Sequence, residues 1–197
     1  MHHYIAFLRG INLGKRRPEM AELRGLFAKM KFTDVATFIA SGNVIFTSKV
    51  SDHRKIELTI EAGLRKALGY EVDTFVRSRA EVAAVAALRP FPKADFENPA
   101  HTVFAVFLKN ALSPAQARQL LACRTAVDDF RVEGRELYWL CRIKSHESKA
   151  WGSPEMKAVR LPTSSMRNLT TVRKLATLYP PDARSCSARS ETTGTGA

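Results

Sequence analysis

Three polar strings hold the residues best suited to chemistry: R-G-I-N-L-G at residues 9–14, A-S-G-N-V-I-F at 40–46 and S-M-R-N-L-T-T-V-R-K-L at 165–175. Guanidinium, amide and hydroxyl groups, together with the exposed N–H groups of glycine turns, complete the hydrogen bonds of a carboxylate or phosphate. Two of the strings lie in strongly basic stretches. Residues 9–31 carry seven Lys/Arg against two Glu, and residues 142–174 carry eight against two. The rest of the chain holds sixteen basic and fifteen acidic residues, so almost all of the net +12 sits in those two segments. Charge gathered in this way makes a field aimed at an anion. The expected partner is an anionic ligand, either nucleic acid or a phosphate-bearing molecule. An enzyme acting on a small phosphorylated or carboxylated metabolite, and an interaction module whose basic surface only solvates it, remain open beside that reading.

Other chemistries leave no signature. Ser41 stands in I-A-S-G-N rather than in a G-x-S-x-G elbow. G-I-N-L-G-K lacks the spacing of a phosphate-binding P-loop. The five histidines and three cysteines show no metal-ligand spacing, so no metal and no cofactor is expected. Adjacent Asp128 and Asp129 on a strand face opposite ways, and Ser148 beside Lys149 cannot easily bring both groups to one point. An odd number of cysteines without a CxxC pair fits a reducing cytoplasm. No apolar run approaches the roughly 18–20 residues that span a bilayer, so no membrane partner is expected. With 197 residues, 45% hydrophobic and 25% charged, the chain reads as a globular protein of one domain or two small ones.

The elements that must position the three strings follow an internal repeat. Y-I-A-F-L-R-G at residues 4–10 is a buried strand ending in a cation. Met20, Leu23, Phe27 and Met30 mark one face of a helix after Pro18. Residues 35–40 and 43–48 are β-rich runs around a Ser41-Gly42 turn. Ile56, Ile60, Leu64 and Ala67 mark a second helix stopped by Gly69, and residues 72–77 form a strand. The order starts again after Pro99: A-V-F-L-K at 105–109 parallels I-A-F-L-R at 5–9. Ser113-Pro114 opens a helix, residues 130–141 form a hairpin turning at Glu133-Gly134, and 148–157 forms a weaker helix. Residues 158–161 then read as the closing strand. Each unit is followed by an extra helix: one with Ser78 and Glu81 in capping-box spacing, the other capped by Ser164/Ser165 and burying Asn168 and Val172 on one face.

The expected fold is therefore α/β (α+β), two tandem ferredoxin-like βαββαβ units each followed by an extra helix. The first unit and its helix cover residues 1–90, the second 100–179, and residues 180–197 read as a disordered tail. In such a unit the end of the first strand lies beside the start of the third. Arg9, Gly10, Asn12 and Gly14 should thus meet Ser41, Gly42 and Asn43 at one sheet edge. Arg9, Asn43, Arg167 and Asn168 are expected to line one cleft between the halves, with Arg167 exposed. Turn geometry alone also accounts for the glycines, and loop capping for the asparagines.

Taken together, these strings resemble a bacterial family known only as domain of unknown function 1697. Its members typically begin Y-[ILV]-A-[LF]-L-R-G-I-N-V-G-G, continue with P-M-A-E-L-R and S-G-N-V-[ILV]-F, and end with T-x-R-N-W-N-T-V-x-K-L. The chain carries these motifs in order from Tyr4 to about Tyr179. The resemblance implies two ferredoxin-like halves and no established activity. It adds Lys149, Thr171 and Lys174 to the candidate ligand-binding residues, through the shared Ser-Lys pair and the last motif. Lys15, Ala40, Leu169 and Thr170 depart from the family's usual residues.

Overall fold

The computed structural model describes residues 1–12, 18–39 and 42–182. Gly14, Lys15, Ala40, Ser41 and the tail from residue 183 onward, each singled out above, lie outside the described residues, as do Arg16, Arg17 and Cys186.

The first half runs β1 (His2–Arg9), α1 (Met20–Lys29), β2 (Thr33–Phe38), β3 (Asn43–Ser48), α2 (His53–Leu68), β4 (Asp73–Ser78) and α3 (Arg79–Ala87). A short α4 (Lys93–Glu97) bridges to β5 (Thr102–Leu108), α5 (Pro114–Ala122), β6 (Asp128–Glu133) and β7 (Glu136–Cys141). A 3-10 turn at Ala150–Gly152, α6 (Pro154–Ala158), β8 (Ser164–Asn168) and α7 (Leu169–Leu178) close the chain. The sheets have orders β2-β3-β1-β4 and β6-β7-β5-β8, every neighbour antiparallel. Both are ferredoxin-like, and the duplication extends to register. Phe7 pairs with Asn43 and Ile5 with Arg77, while Phe107 pairs with Glu136 and Ala105 with Arg167.

Alternation along β1 sets the layers. Tyr4, Ala6 and Leu8 point to α1 and α2 and share a core with Phe27, Phe46 and Ile60. Ile5 and Phe7 point the other way, into a core shared with Ala105, Phe107, Tyr138 and Leu140 of the second half. A lone βαββαβ unit leaves one sheet face bare. Here each unit covers the other's, and α3 and α7 pack beside that junction through Val82, Val85, Val172 and Leu175. A third core, around Leu120, Phe130, Trp139 and Met156, fills the far side of the second sheet.

Two expectations about the second half need correction. The closing strand is Ser164–Asn168 rather than 158–161, and the helix expected at 148–157 is a 3-10 turn at Ala150–Gly152 followed by the turn-and-a-half of α6 at Pro154–Ala158. The cap of the last helix is consequently Asn168, whose Oδ1 accepts from Thr170 N at 2.8 Å. Asn168 is exposed and not on the buried face. A strand reaching Asn168 consumes the serines that would otherwise have capped the helix.

Ion pairs also tie the halves together. Glu81 closes the capping box of α3 with Ser78 N at 2.7 Å and accepts from Arg135 of the β6–β7 turn at 2.6 Å. Lys109 reaches Glu61 of α2. Burial raises the Glu81 pKa, but the Ser78 N–H, His53 and Arg135 outweigh it and hold the carboxyl below its usual value. A depressed folded-state pKa contributes stability above the unfolded value that is lost as pH falls through the folded one. Wild type should therefore lose more stability than Glu81→Gln on acidification from about pH 5 downward, read from urea midpoints at stepped pH. Equal losses would show that Glu81 is not a source of the acid sensitivity.

Candidate functional site

Arg77 and Arg167 occupy equivalent places in β4 and β8, and each reaches into the opposite half. Arg167 Nε donates to Asn43 Oδ1 at 2.7 Å, Nη1 to Met166 O at 2.8 Å and Nη2 to Leu8 O at 2.8 Å. Arg77 repeats the pattern, with Nε to Glu136, Nη1 to Val76 O at 2.9 Å and Nη2 to Leu108 O at 2.6 Å. Asn43 and Glu136, the acceptors, are the first residues of β3 and β7. Between the arginines Phe7 and Phe107 stack with centroids 3.9 Å apart and planes 8° apart. Each guanidinium lies over the ring of the other half, Arg77 on Phe107 at 5.5 Å and Arg167 on Phe7 at 5.8 Å. Burial pulls the Arg167 pKa down to about 10, which leaves it charged at neutral pH.

Arg167 is therefore a half-buried crosslink, not the exposed guanidinium expected from sequence. It and Asn43 do meet, across the halves. Gly42 sits at φ +72 with Ile11 Cγ2 2.8 Å from where a Cβ would be, so both its conformation and its crowding require glycine. Its carbonyl accepts from Leu8 N at 2.8 Å, which places the start of the third strand beside the end of the first as anticipated. Gly10, at φ +83, and half-buried Asn12 follow β1.

The remaining candidates separate. Arg9 is exposed at the end of β1 and pairs with its cross-strand neighbour Asp73 at 3.0 Å. Arg9 stands near Ser164, whereas Asn168 lies four residues further along β8, about 13 Å away at the rise of a strand. Lys149 lines a different cavity, on the outer side of the second sheet. Lys174 is exposed and Thr171 half-buried on α7. The basic stretch 142–174 is also partly spent on structure. Arg142 forks onto Asp95 at 2.9 and 3.1 Å, and Arg173 Nε donates to Ala86 O at 3.3 Å.

What remains converges on one cleft between the halves. A cavity of about 400 Å³ is lined by Arg9 from the first half and by Trp151, Lys157, Arg160, Thr163 and Ser164 from the second. No carboxylate, histidine or cysteine belongs to its lining. Asp73, which is not part of the lining, holds the ion pair with Arg9. Trp151 packs edge-on against Phe130 and Trp139, and its buried Nε1 has no hydrogen-bond partner among the described residues.

Arg160 is held in an unusual way. It follows α6 at φ +51, the left-handed position after a helix end that glycine normally fills. Gln116 Nε2 steadies that turn through Arg160 O at 3.2 Å. Sequence reading missed Lys157, Arg160 and Ser164, because placing the closing strand at 158–161 buried this connection inside a sheet. The nearest signal was V-R-L-P at residues 159–162, where Pro162 makes a strand interior unfavourable.

Among the described residues no helix is long and apolar enough to cross a membrane, and no group of three His, Cys, Asp or Glu could hold a metal ion.

The chain is similar in fold to the conserved bacterial protein SP0830 from Streptococcus pneumoniae, with a TM-score of 0.68 at 21% identity over 91% of this chain and 98% of that one. No curated protein matches it. The family model described as "Protein of unknown function (DUF1697)" matches residues 1–138, which include the first two polar strings and the whole first half. With 138 of its 197 residues matched and the doubled ferredoxin-like architecture in place, the chain belongs to that family.

Proposed function

We propose that the protein binds a small phosphate-bearing ligand in the cleft between its halves. The observation that carries this reading is the convergence of Arg9, Lys157 and Arg160 on one cavity with no carboxylate in its lining. Thr163 and Ser164 add hydroxyl donors at the same wall. The volume, about 400 Å³, falls in the range of ligand pockets, roughly 300–1,000 Å³, and its mouth is open to solvent. Binding is favoured over catalysis because the lining offers anion-holding groups but no carboxylate or imidazole to act as a general base.

The backbone at Arg160 gives a test that separates binding from folding. A non-glycine residue in the left-handed region costs about 1–2 kcal/mol, so glycine there relieves strain while removing the guanidinium. Arg160→Gly should leave stability unchanged or raise it by up to about 1 kcal/mol. It should weaken binding of inorganic pyrophosphate by about tenfold, the loss of one charge-assisted hydrogen bond. Trp151, on the cavity wall, makes intrinsic fluorescence the readout. A variant that binds pyrophosphate as wild type does, or a wild type with no response at low salt, would reject the reading. Preferential binding of a single-stranded oligonucleotide, with affinity falling steeply with salt, would instead favour a polyanion partner.

A further inference from the structure

A second cavity, of about 580 Å³, opens on the outer side of the first half, between the end of α1, the end of β3 and the start of α2. Its floor is apolar: Phe32 and Ile56 are buried, and Met30 lies against Gly63, where an added Cβ would stand 2.2 Å from the Met30 sulfur. Val50 and Leu58, which also line it, are 43% and 49% exposed. They are two of the five large hydrophobic side chains left exposed among the described residues, so exposed apolar surface is concentrated here. Lys31, Lys49 and Lys55, with Ser48 and Thr59, complete the lining, no carboxylate contributes to it, and none of the three lysines has an ion pair among the described residues. Lys31 stands at φ +68 just past the end of α1, a position where glycine would be less strained.

The duplication supplies a comparison within the same chain. The second half has a cavity of about 440 Å³ in the equivalent place, past the end of α5 and beside the end of β7. Its lining mixes Arg124 and Lys149 with Asp128, Glu147 and Glu155. Asp128 is buried and committed, accepting from Trp139 Nε1 and Ser148 Oγ at 2.8 Å each. The two halves thus carry the same hollow with different electrostatics, and only the first combines an apolar floor with a rim whose charged groups are all cationic.

We propose that the first-half cavity binds an amphipathic organic monoanion, its apolar body on Phe32, Ile56 and Leu58 and its anionic head among Lys31, Lys49 and Lys55. A chain carboxylate of medium length has this chemistry. The apolar part supplies most of the affinity by leaving water, and the lysines select against neutral analogues. This site is separate from the cleft proposed above, and contains neither tryptophan.

The probes are decanoate and decanol, titrated calorimetrically into the full chain below their aggregation limits. Decanoate should bind once per chain and about tenfold more tightly than decanol. The triple variant Lys31→Gly, Lys49→Gln, Lys55→Gln should fold as wild type, since all three side chains are exposed and glycine suits φ +68. It should bind decanoate at least about tenfold more weakly while leaving decanol unchanged, and raised salt should weaken decanoate in wild type only. Decanoate binding should persist in Arg160→Gly, and pyrophosphate should persist in the triple variant, so the two sites stand or fall separately. No decanoate binding, equal affinity for decanol, or wild-type decanoate affinity in the triple variant would overturn the proposal.

Discussion

Arg77→Ala should destabilise the protein by about 3–5 kcal/mol, read as a lower urea midpoint with little change in slope. Arg77 is among the largest fully buried side chains of the described residues, and its guanidinium is divided among Glu136, the carbonyls of Val76 and Leu108 and the ring of Phe107. Truncation leaves Glu136, only 15% exposed, without its cation, and strands carbonyl oxygens away from water. Arg77→Lys should recover only part of the loss, because an ammonium is a point charge and not a fork that serves several acceptors in one plane. Arg167→Ala should cost somewhat less, on the order of 2–4 kcal/mol, because its acceptor Asn43 is neutral and keeps its own bond to Phe38 O at 3.1 Å. An exposed Arg167, as expected from sequence, would lose little on truncation; the half-buried and fully engaged guanidinium loses more. A loss below about 1 kcal/mol for Arg77→Ala would mean that the crosslink is not what joins the halves.

The duplication was legible because its carriers are local. I-A-F-L-R and A-V-F-L-K are strands whose alternation is set within a few residues, and Ser113-Pro114, Gly69 and the Ser78/Glu81 box mark ends by chemistry that acts within one turn. The adjacency of Gly42 and Asn43 to the end of β1 also followed, from topology alone. The connection before β8 was not legible. V-R-L-P and S-S-M-R-N are both short, and period alone does not say which of two such runs joins a sheet. A second repeat would have decided it: V-R-S at residues 76–78 and M-R-N at 166–168 each place an arginine one residue before a helix cap. That pairing predicts β8, the Asn168 cap and the structural use of Arg167 together. It went unread because Ser164 and Ser165 are better caps by composition than by position.

The charge pattern misled in a different way. Segregation of basic residues implies a field for a ligand, yet Arg142, Arg167 and Arg173 satisfy groups of the protein itself. A basic stretch counts charges before folding has assigned them. Only burial and pairing show which are left over; among these are Lys157 and Arg160 at the cleft, beside the Asp73-paired Arg9, Lys31 at the first-half cavity and exposed Lys174.

Phe107→Ala should cost about 3–5 kcal/mol, the usual range for removing a buried phenylalanine. Phe107 is fully buried and belongs to the core that both sheets share, stacked on Phe7 and covered by Arg77. Two effects add: the lost transfer of the ring, and a void that a junction of two rigid sheets closes poorly. Phe7→Ala should behave alike by the symmetry of the register. The pair should be strongly non-additive, because the first truncation already removes the stack and exposes the second ring to the void. A coupling of roughly 0.5–1.5 kcal/mol in the double-mutant cycle is the expected excess of a stacked pair over simple burial. Both variants should still unfold in one transition, since each sheet face needs the other to be covered. Two separated transitions, or strictly additive losses, would show that the halves hold together mainly through their arginines and through α3 and α7, with the aromatic pair only filling space between them.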